Sequence, residues 1–101
     1  MLGIDITKIN RFENPKDSFL KKTLHPDEIV EYNKSTDKSM FLAKRWAIKE
    51  ALYKADNELF HFNKIKIIKE DRKYKFQGYI ISTSKEDNYI VAIAKKENHE
   101  G

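Results

Sequence analysis

Two carboxylates and an amine, Asp5, Glu50 and Lys54, carry the chemistry that this sequence could perform. Residues 41–56 read FLAKRWAIKEALYKAD, and as a helix turning about 100° per residue they sort into stripes. Phe41, Ile48, Leu52 and Ala55 share one side, and Leu42, Trp46 and Tyr53 a second. Ala43 and Ala47 mark a third side, which also carries Glu50 and Lys54. A helix apolar nearly all round is central to its domain. Small alanines let another backbone come close, so Glu50 and Lys54 project into a confined space. Near the N-terminus Leu2, Ile4 and Ile6 alternate with Gly3, Asp5 and Thr7, which is the pattern of a half-buried strand. Asp5 therefore faces away from the Leu-Ile-Ile side, beside a glycine that leaves room for a ligand or a backbone. If this strand lies on the small face of the helix, Asp5 and Glu50 meet. Two such carboxylates repel unless something positive sits between them. Lys54 alone would make a structural network. A hard divalent cation would do as well, since Mg²⁺ takes one or two carboxylates, keeps several waters and fills its shell with substrate phosphate oxygens. Plainer readings stand beside both: Glu50 and Lys54 as an ordinary i,i+4 pair, and Asp5 capping a turn.

The chain of 101 residues, 40% hydrophobic and 12% aromatic, predicts one domain with a single modest core. No apolar run approaches the roughly 20 residues of a membrane span, and the N-terminus lacks a signal-peptide layout. A cytoplasmic protein is expected. The absence of cysteine excludes disulfides, thiolate metal sites and a cysteine nucleophile. A net charge of +4 suits an acidic partner or a phosphorylated ligand. Lys64, Lys66, Lys69, Lys73 and Lys75 read as a solvated face, whereas Arg11, Arg45 and Arg72, the only arginines, are better suited to two-point phosphate or carboxylate contacts.

These groups must be positioned by the rest of the chain. Asn14-Pro15 predicts a helix start, with Phe19 and Leu20 inward, Lys21 and Lys22 outward, and an end near Leu24. His25-Pro26-Asp27-Glu28 starts a second helix with acids in its first turn, where the dipole favours them. It runs to about Asn33, with His25 as a local cap or surface residue. Residues 35–39 offer N-caps to the central helix. Three period-two runs follow, marked by Ile65 and Ile67, by Tyr74 and Phe76, and by Tyr89, Val91 and Ile93. Turns fall at 70–72 and 85–88, and Gly78 marks a bulge or a close approach. The polar tail 97–101 is expected to fray. The architecture expected is α+β: a strand, two short helices, a central helix, and an antiparallel meander covering it.

Two motifs carry a resemblance. Gly3-Ile4-Asp5-Ile6 with Arg11, followed by Arg45-Trp46-Ala47-Ile48-Lys49-Glu50-Ala51 and Lys54, resembles the holo-[acyl-carrier-protein] synthase family, the small 4′-phosphopantetheinyl transferases. The motifs stand in the family's order and separation, and the likeness extends more loosely over most of the chain. The resemblance implies an Mg²⁺-dependent enzyme that moves 4′-phosphopantetheine from coenzyme A to a serine of apo acyl carrier protein. Adenosine 3′,5′-bisphosphate is released, and the product serves fatty acid and lipid synthesis. It implies a homotrimer with a site at each subunit interface. Asp5 and Glu50 would hold the metal on the coenzyme A pyrophosphate, Lys54 would neutralise charge there, and Arg45 and Lys49 would meet the nucleotide phosphates. Ser82, Ser84 and Lys85, on the last hairpin, would reach an adjacent subunit's helix. Arg11, Phe19, Lys21 and Lys22 would receive the acidic carrier protein. The attacking serine must lose a proton, and Glu50, directly or through a water, is the candidate base; a water alone is the alternative.

The sequence departs from the family pattern twice. Lys85 stands where the family commonly has a histidine, in Ser82-Thr83-Ser84-Lys85, and the family's glycine-containing loop after the central helix is missing from residues 56–60. A competing reading is a non-catalytic, lysine-rich nucleic-acid- or protein-binding module that uses Tyr74, Phe76 and Tyr79 as a stacking platform. The distance between the Asp5 and Glu50 carboxylates discriminates the two.

Overall fold

A computed structural model describes residues 1–97. The order of elements is β1 (Leu2–Lys8), a 3₁₀ turn (Ile9–Phe12), α1 (Asp17–Thr23), α2 (Pro26–Lys34), α3 (Lys38–Ala55), a second 3₁₀ turn (Phe62–Lys64), β2 (Ile68–Glu70), β3 (Lys73–Phe76), β4 (Tyr79–Glu86) and β5 (Tyr89–Lys96). The strands form one antiparallel sheet in the order β1-β5-β4-β3-β2, so the first strand pairs with the last. The fold is α+β, as the sequence patterns imply.

α3 runs through the middle because it has almost no polar side to leave outside. Leu42, Ala43, Ala47, Ile48, Ala51, Leu52 and Ala55 are all buried. Its N-terminus is capped by Asp37, whose side chain accepts from the Met40 amide at 3.1 Å, as the polar connector led us to expect. α2 starts at Pro26 behind a capping box. The His25 ring accepts from the Asp27 amide, and the Glu28 side chain accepts from the His25 amide. α1 begins later than Asn14-Pro15 implies. Asn14 adopts φ of 49°, a left-handed conformation that asparagine tolerates, and Lys16 becomes the N-cap.

Two features of the sheet differ from the sequence pattern. Gly78, with φ of 83°, is a turn residue and not a bulge, so what read as one run is split into β3 and β4. Ile65 and Ile67 are buried as expected, but they precede β2 and do not lie in it. More important is the phase of the two strands against α3. Gly3, Asp5 and Thr7 of β1 and Ile90, Ala92 and Ala94 of β5 form the covered face. Leu2, Ile4 and Ile6 are 56–65% exposed on the other face, and Tyr89 and Ile93 are exposed as well. The buried side is thus the opposite one from that suggested by the bulky residues, because α3 lies too close for bulk. A Cβ on Gly3 would fall 1.8 Å from the Ala51 carbonyl oxygen and 2.8 Å from the Ala55 nitrogen. Only glycine admits the helix backbone there.

Candidate active site

The close approach at Gly3 places Asp5, two residues further along the same face, against the Glu50–Lys54 side of α3. The Lys54 ammonium donates to the Ile4 carbonyl at 3.0 Å and to Asp5 Oδ1 at 3.1 Å. The Asp5 side chain is 12% exposed, and its buried Oδ2 has no hydrogen-bond partner among the described residues. Glu50 stands close enough to sense its neighbours. Burial pushes its carboxyl above the usual range and the Asp5 charge adds to this, while Lys54 and Arg11 oppose the shift. The site therefore holds two carboxylates and one lysine bonded to one of them. Among the described residues no group of three or more His, Cys, Asp or Glu side chains is placed to hold a metal. A cation here would have two protein carboxylates at most, which suits Mg²⁺ completing its shell with water and phosphate oxygens. The orphaned Asp5 oxygen fits such an ion.

Arg11 leaves the 3₁₀ turn after β1 with its guanidinium 5.3 Å from the Trp46 ring centre and 5.4 Å from that of Phe12. Trp46 lies one turn before Glu50 on α3. Phe19 of α1 packs against Trp46 at 5.5 Å, and Lys21 and Lys22 are exposed on the same short helix. Arg11 and Phe19 thus meet on the Trp46 ring, one turn from Glu50, while Lys21 and Lys22 stand exposed on the helix that carries Phe19.

Arg45 and Lys49, expected at the nucleotide phosphates, lie elsewhere. Both are buried, Lys49 completely. Glu28 of α2, also fully buried, accepts from Arg45 Nε at 3.1 Å and pairs with the Lys49 ammonium. Glu31 adds a bond to Arg45 at 3.2 Å, and Lys49 further donates to the Thr23 and Phe62 carbonyls. Neither cation is free to meet a phosphate, and their placement corrects that expectation. Nine residues at about 100° each put Arg45 on the opposite side of α3 from Lys54. The helical wheel thus carried the signal. Glu28 was missed as a partner because it reads as a first-turn acid favoured by the dipole.

Ser82, Ser84 and Lys85 are exposed on β4. Ser82 pairs with Ile93, which pairs with Ile4, and Ser84 pairs with Val91, which pairs with Ile6. Both serines therefore lie on the exposed apolar face of the sheet and are separated from Asp5 and Glu50 of the same chain by the sheet itself. Lys85 lies across from Ile90 near the end of the strand. Tyr74 and Tyr79 are at most 9% exposed, Tyr74 under Arg45 and Tyr79 bonded to Asp56. Side chains so covered offer no stacking platform, and with Asp5 and Glu50 together the binding-module reading loses its support. No described helix is long and apolar enough to cross a membrane.

A family model, the 4′-phosphopantetheinyl transferase superfamily, matches residues 1–94. The holo-[acyl-carrier-protein] synthase of Mycoplasmopsis pulmonis is 52% identical over 96 residues, covering 95% of this chain and 89% of the relative. That of Mycoplasma mobile is 48% identical, covering 99% of this chain and 92% of the relative. Among solved structures, the Bacillus anthracis holo-(acyl-carrier-protein) synthase in complex with CoA (3′,5′-ADP) superposes with a TM-score of 0.77 at 28% identity, covering 92% of this chain and 91% of that one. The Helicobacter pylori synthase in complex with coenzyme A gives 0.75 at 28% identity, covering 96% of this chain and 100% of that one.

Proposed function

The chain belongs to the 4′-phosphopantetheinyl transferase superfamily, and from that premise we propose how its residues perform the transfer. The activity is that of a holo-[acyl-carrier-protein] synthase. The 4′-phosphopantetheine group passes from coenzyme A to a serine of apo acyl carrier protein, and adenosine 3′,5′-bisphosphate leaves. We take residues 1–101 as a single transferase domain working in the cytoplasm, in support of lipid synthesis.

The juxtaposition of Asp5 and Glu50, with one Asp5 oxygen unpartnered and buried, carries the mechanistic reading. Asp5 and Glu50 would hold Mg²⁺, which supplies charge neutralisation and polarisation at the coenzyme A pyrophosphate. Phosphoryl transfer asks the protein mainly for position and charge. Lys54, half-exposed and anchored on Asp5 and the Ile4 carbonyl, presents an ammonium to the same phosphates. As the serine oxygen bonds to phosphorus and the bond to the nucleotide breaks, the hydroxyl proton passes to the Glu50 carboxylate. Arg11, Lys21, Lys22 and Phe19 receive the acidic carrier. Incubating the protein with coenzyme A, Mg²⁺ and apo carrier protein should add the mass of one phosphopantetheine to the carrier. An unmodified carrier after prolonged incubation would overturn the reading.

We further propose a homotrimer. Leu2, Ile4, Ile6, Ile80 and Ile93 leave an apolar sheet face open, and contiguous apolar faces on soluble proteins mark contact surfaces. A neighbouring copy seated there would meet Ser82 and Ser84. Lys85, on the other face across from Ile90 but near the strand end, would reach around it to help complete the nucleotide pocket across the interface. Sedimentation of the active protein should give the mass of three chains, and placing a lysine at Ile4 should yield inactive monomer. A fully active monomer would refute this assembly.

A further inference from the structure

Trp46 is the only tryptophan of the chain, and it is the hub of an aromatic cluster. Phe12 lies 6.1 Å from it, Phe19 5.5 Å and Phe62 5.7 Å, drawing in the first 3₁₀ turn, α1 and the second 3₁₀ turn. What the cluster holds at its exposed end is the Arg11 guanidinium, 5.3 Å from the Trp46 ring centre. Among the described residues no salt bridge holds the Arg11 guanidinium; its charge is felt by Glu50, and the rings of Trp46 and Phe12 are what seat it. A cation within about 6 Å of an indole face is attracted by the ring quadrupole. An exposed arginine otherwise samples many rotamers, and fixing it on binding costs free energy. Seating Arg11 on the ring before the partner arrives removes part of that cost and aims a two-point carboxylate binder outward.

We infer that Trp46 is a positioning residue for the acidic carrier protein: its ring holds Arg11 in the geometry that engages a carrier carboxylate. The inference rests on the transferase reading and extends it from the residue that touches the carrier to the one that presents it. Lys21 and Lys22, on α1 against the same cluster, widen the basic surface that such a partner meets. Because Trp46 sits one turn before Glu50, the docking contact and one carboxylate of the pair are carried by the same helix.

The test is a double-mutant cycle on the full-length enzyme, with the KM for apo carrier, the KM for coenzyme A, kcat and Tm measured for each variant. Trp46→Leu should raise the carrier KM about three- to tenfold, the span expected from losing one cation–π contact, with kcat and the coenzyme A KM little changed. Trp46→Phe should recover most of the loss. In an Arg11→Met background Trp46→Leu should add nothing further to the carrier KM. An equal rise in that background, or none in the wild-type background, would make Trp46 core packing alone. Should Trp46→Leu fail to fold, the wild type still decides. Its tryptophan emission should change saturably on titration with apo carrier, and the change should vanish in Arg11→Met. Emission blind to the carrier, or equally responsive without Arg11, overturns the inference. A wild type that binds the carrier but transfers nothing overturns the transferase reading instead.

Discussion

Replacing Glu28 with alanine should cost about 3–5 kcal/mol of folding free energy, the range found when one member of a buried ion pair is removed. One Glu28 oxygen accepts from Arg45 Nε at 3.1 Å and the Ile67 amide at 3.2 Å. The other accepts from the His25 amide at 2.9 Å and pairs with Lys49. Alanine would leave a fully buried lysine with only the Thr23 and Phe62 carbonyls, and Arg45 with only the half-exposed Glu31. The capping box of α2 would go at the same time. Burial already holds the Lys49 ammonium below its usual range, with Glu28 the main force opposing that shift. Without Glu28 the lysine pKa falls further. A lysine depressed in the folded state binds fewer protons there than in the unfolded chain, so stability rises with pH up to the unfolded value, roughly 10.4. The variant should therefore regain stability between neutral pH and about pH 10 more steeply than wild type. Thermal melts across that range read both effects, at about 4–8 °C per kcal/mol for a domain of this size. Wild-type stability, or a deficit independent of pH, would sink this account of the triad.

The same triad shows where sequence patterns stop. Glu28, Arg45 and Lys49 look like surface charge because long charged side chains usually are, and only the packing of α2 on α3 makes them an interior network. β1 and β5 misled in another way. Their bulky residues mark a buried face only if the neighbour has room, and α3 sits so close that glycine and alanine are the residues it accepts. The large residues are left for a second surface that a single chain does not cover. By contrast, the meeting of Asp5, Glu50 and Lys54 was within reach of the sequence, beside the plainer readings of an i,i+4 pair and a turn cap. Their placement depended on two short local periods, one strand and one helix, and on small residues at the contact. Gly78 separated two strands, and Asn14 delayed a helix, because each took a positive φ that no periodicity encodes.

Asp5→Ala and Glu50→Gln should each reduce phosphopantetheine transfer about a thousandfold or more, the rate equivalent of roughly 4 kcal/mol of transition-state stabilisation. The two substitutions differ in what they do to the fold, and this separates a functional pair from a structural one. Glu50 is held above the usual carboxyl range first by burial and then by Asp5. A carboxyl raised in the folded state binds more protons there than in the unfolded chain. Stability then falls as pH rises from the unfolded value through the folded one, and the penalty persists in full above it. Glutamine removes that penalty, so metal-free Glu50→Gln should melt at or above the wild-type temperature at neutral pH. Asp5→Ala removes the orphaned, buried Oδ2 but also the 3.1 Å bond to Lys54, and should melt close to wild type. Added Mg²⁺ should raise the wild-type Tm, as any ligand of the folded state does, and leave both variants unmoved. Melts in EDTA with and without Mg²⁺, together with the mass of the carrier after incubation, measure all of this. Wild-type turnover in either variant at low Mg²⁺ would remove Asp5 and Glu50 from the mechanism. A Glu50→Gln protein less stable than wild type would make Glu50 a structural member of the Lys54 network.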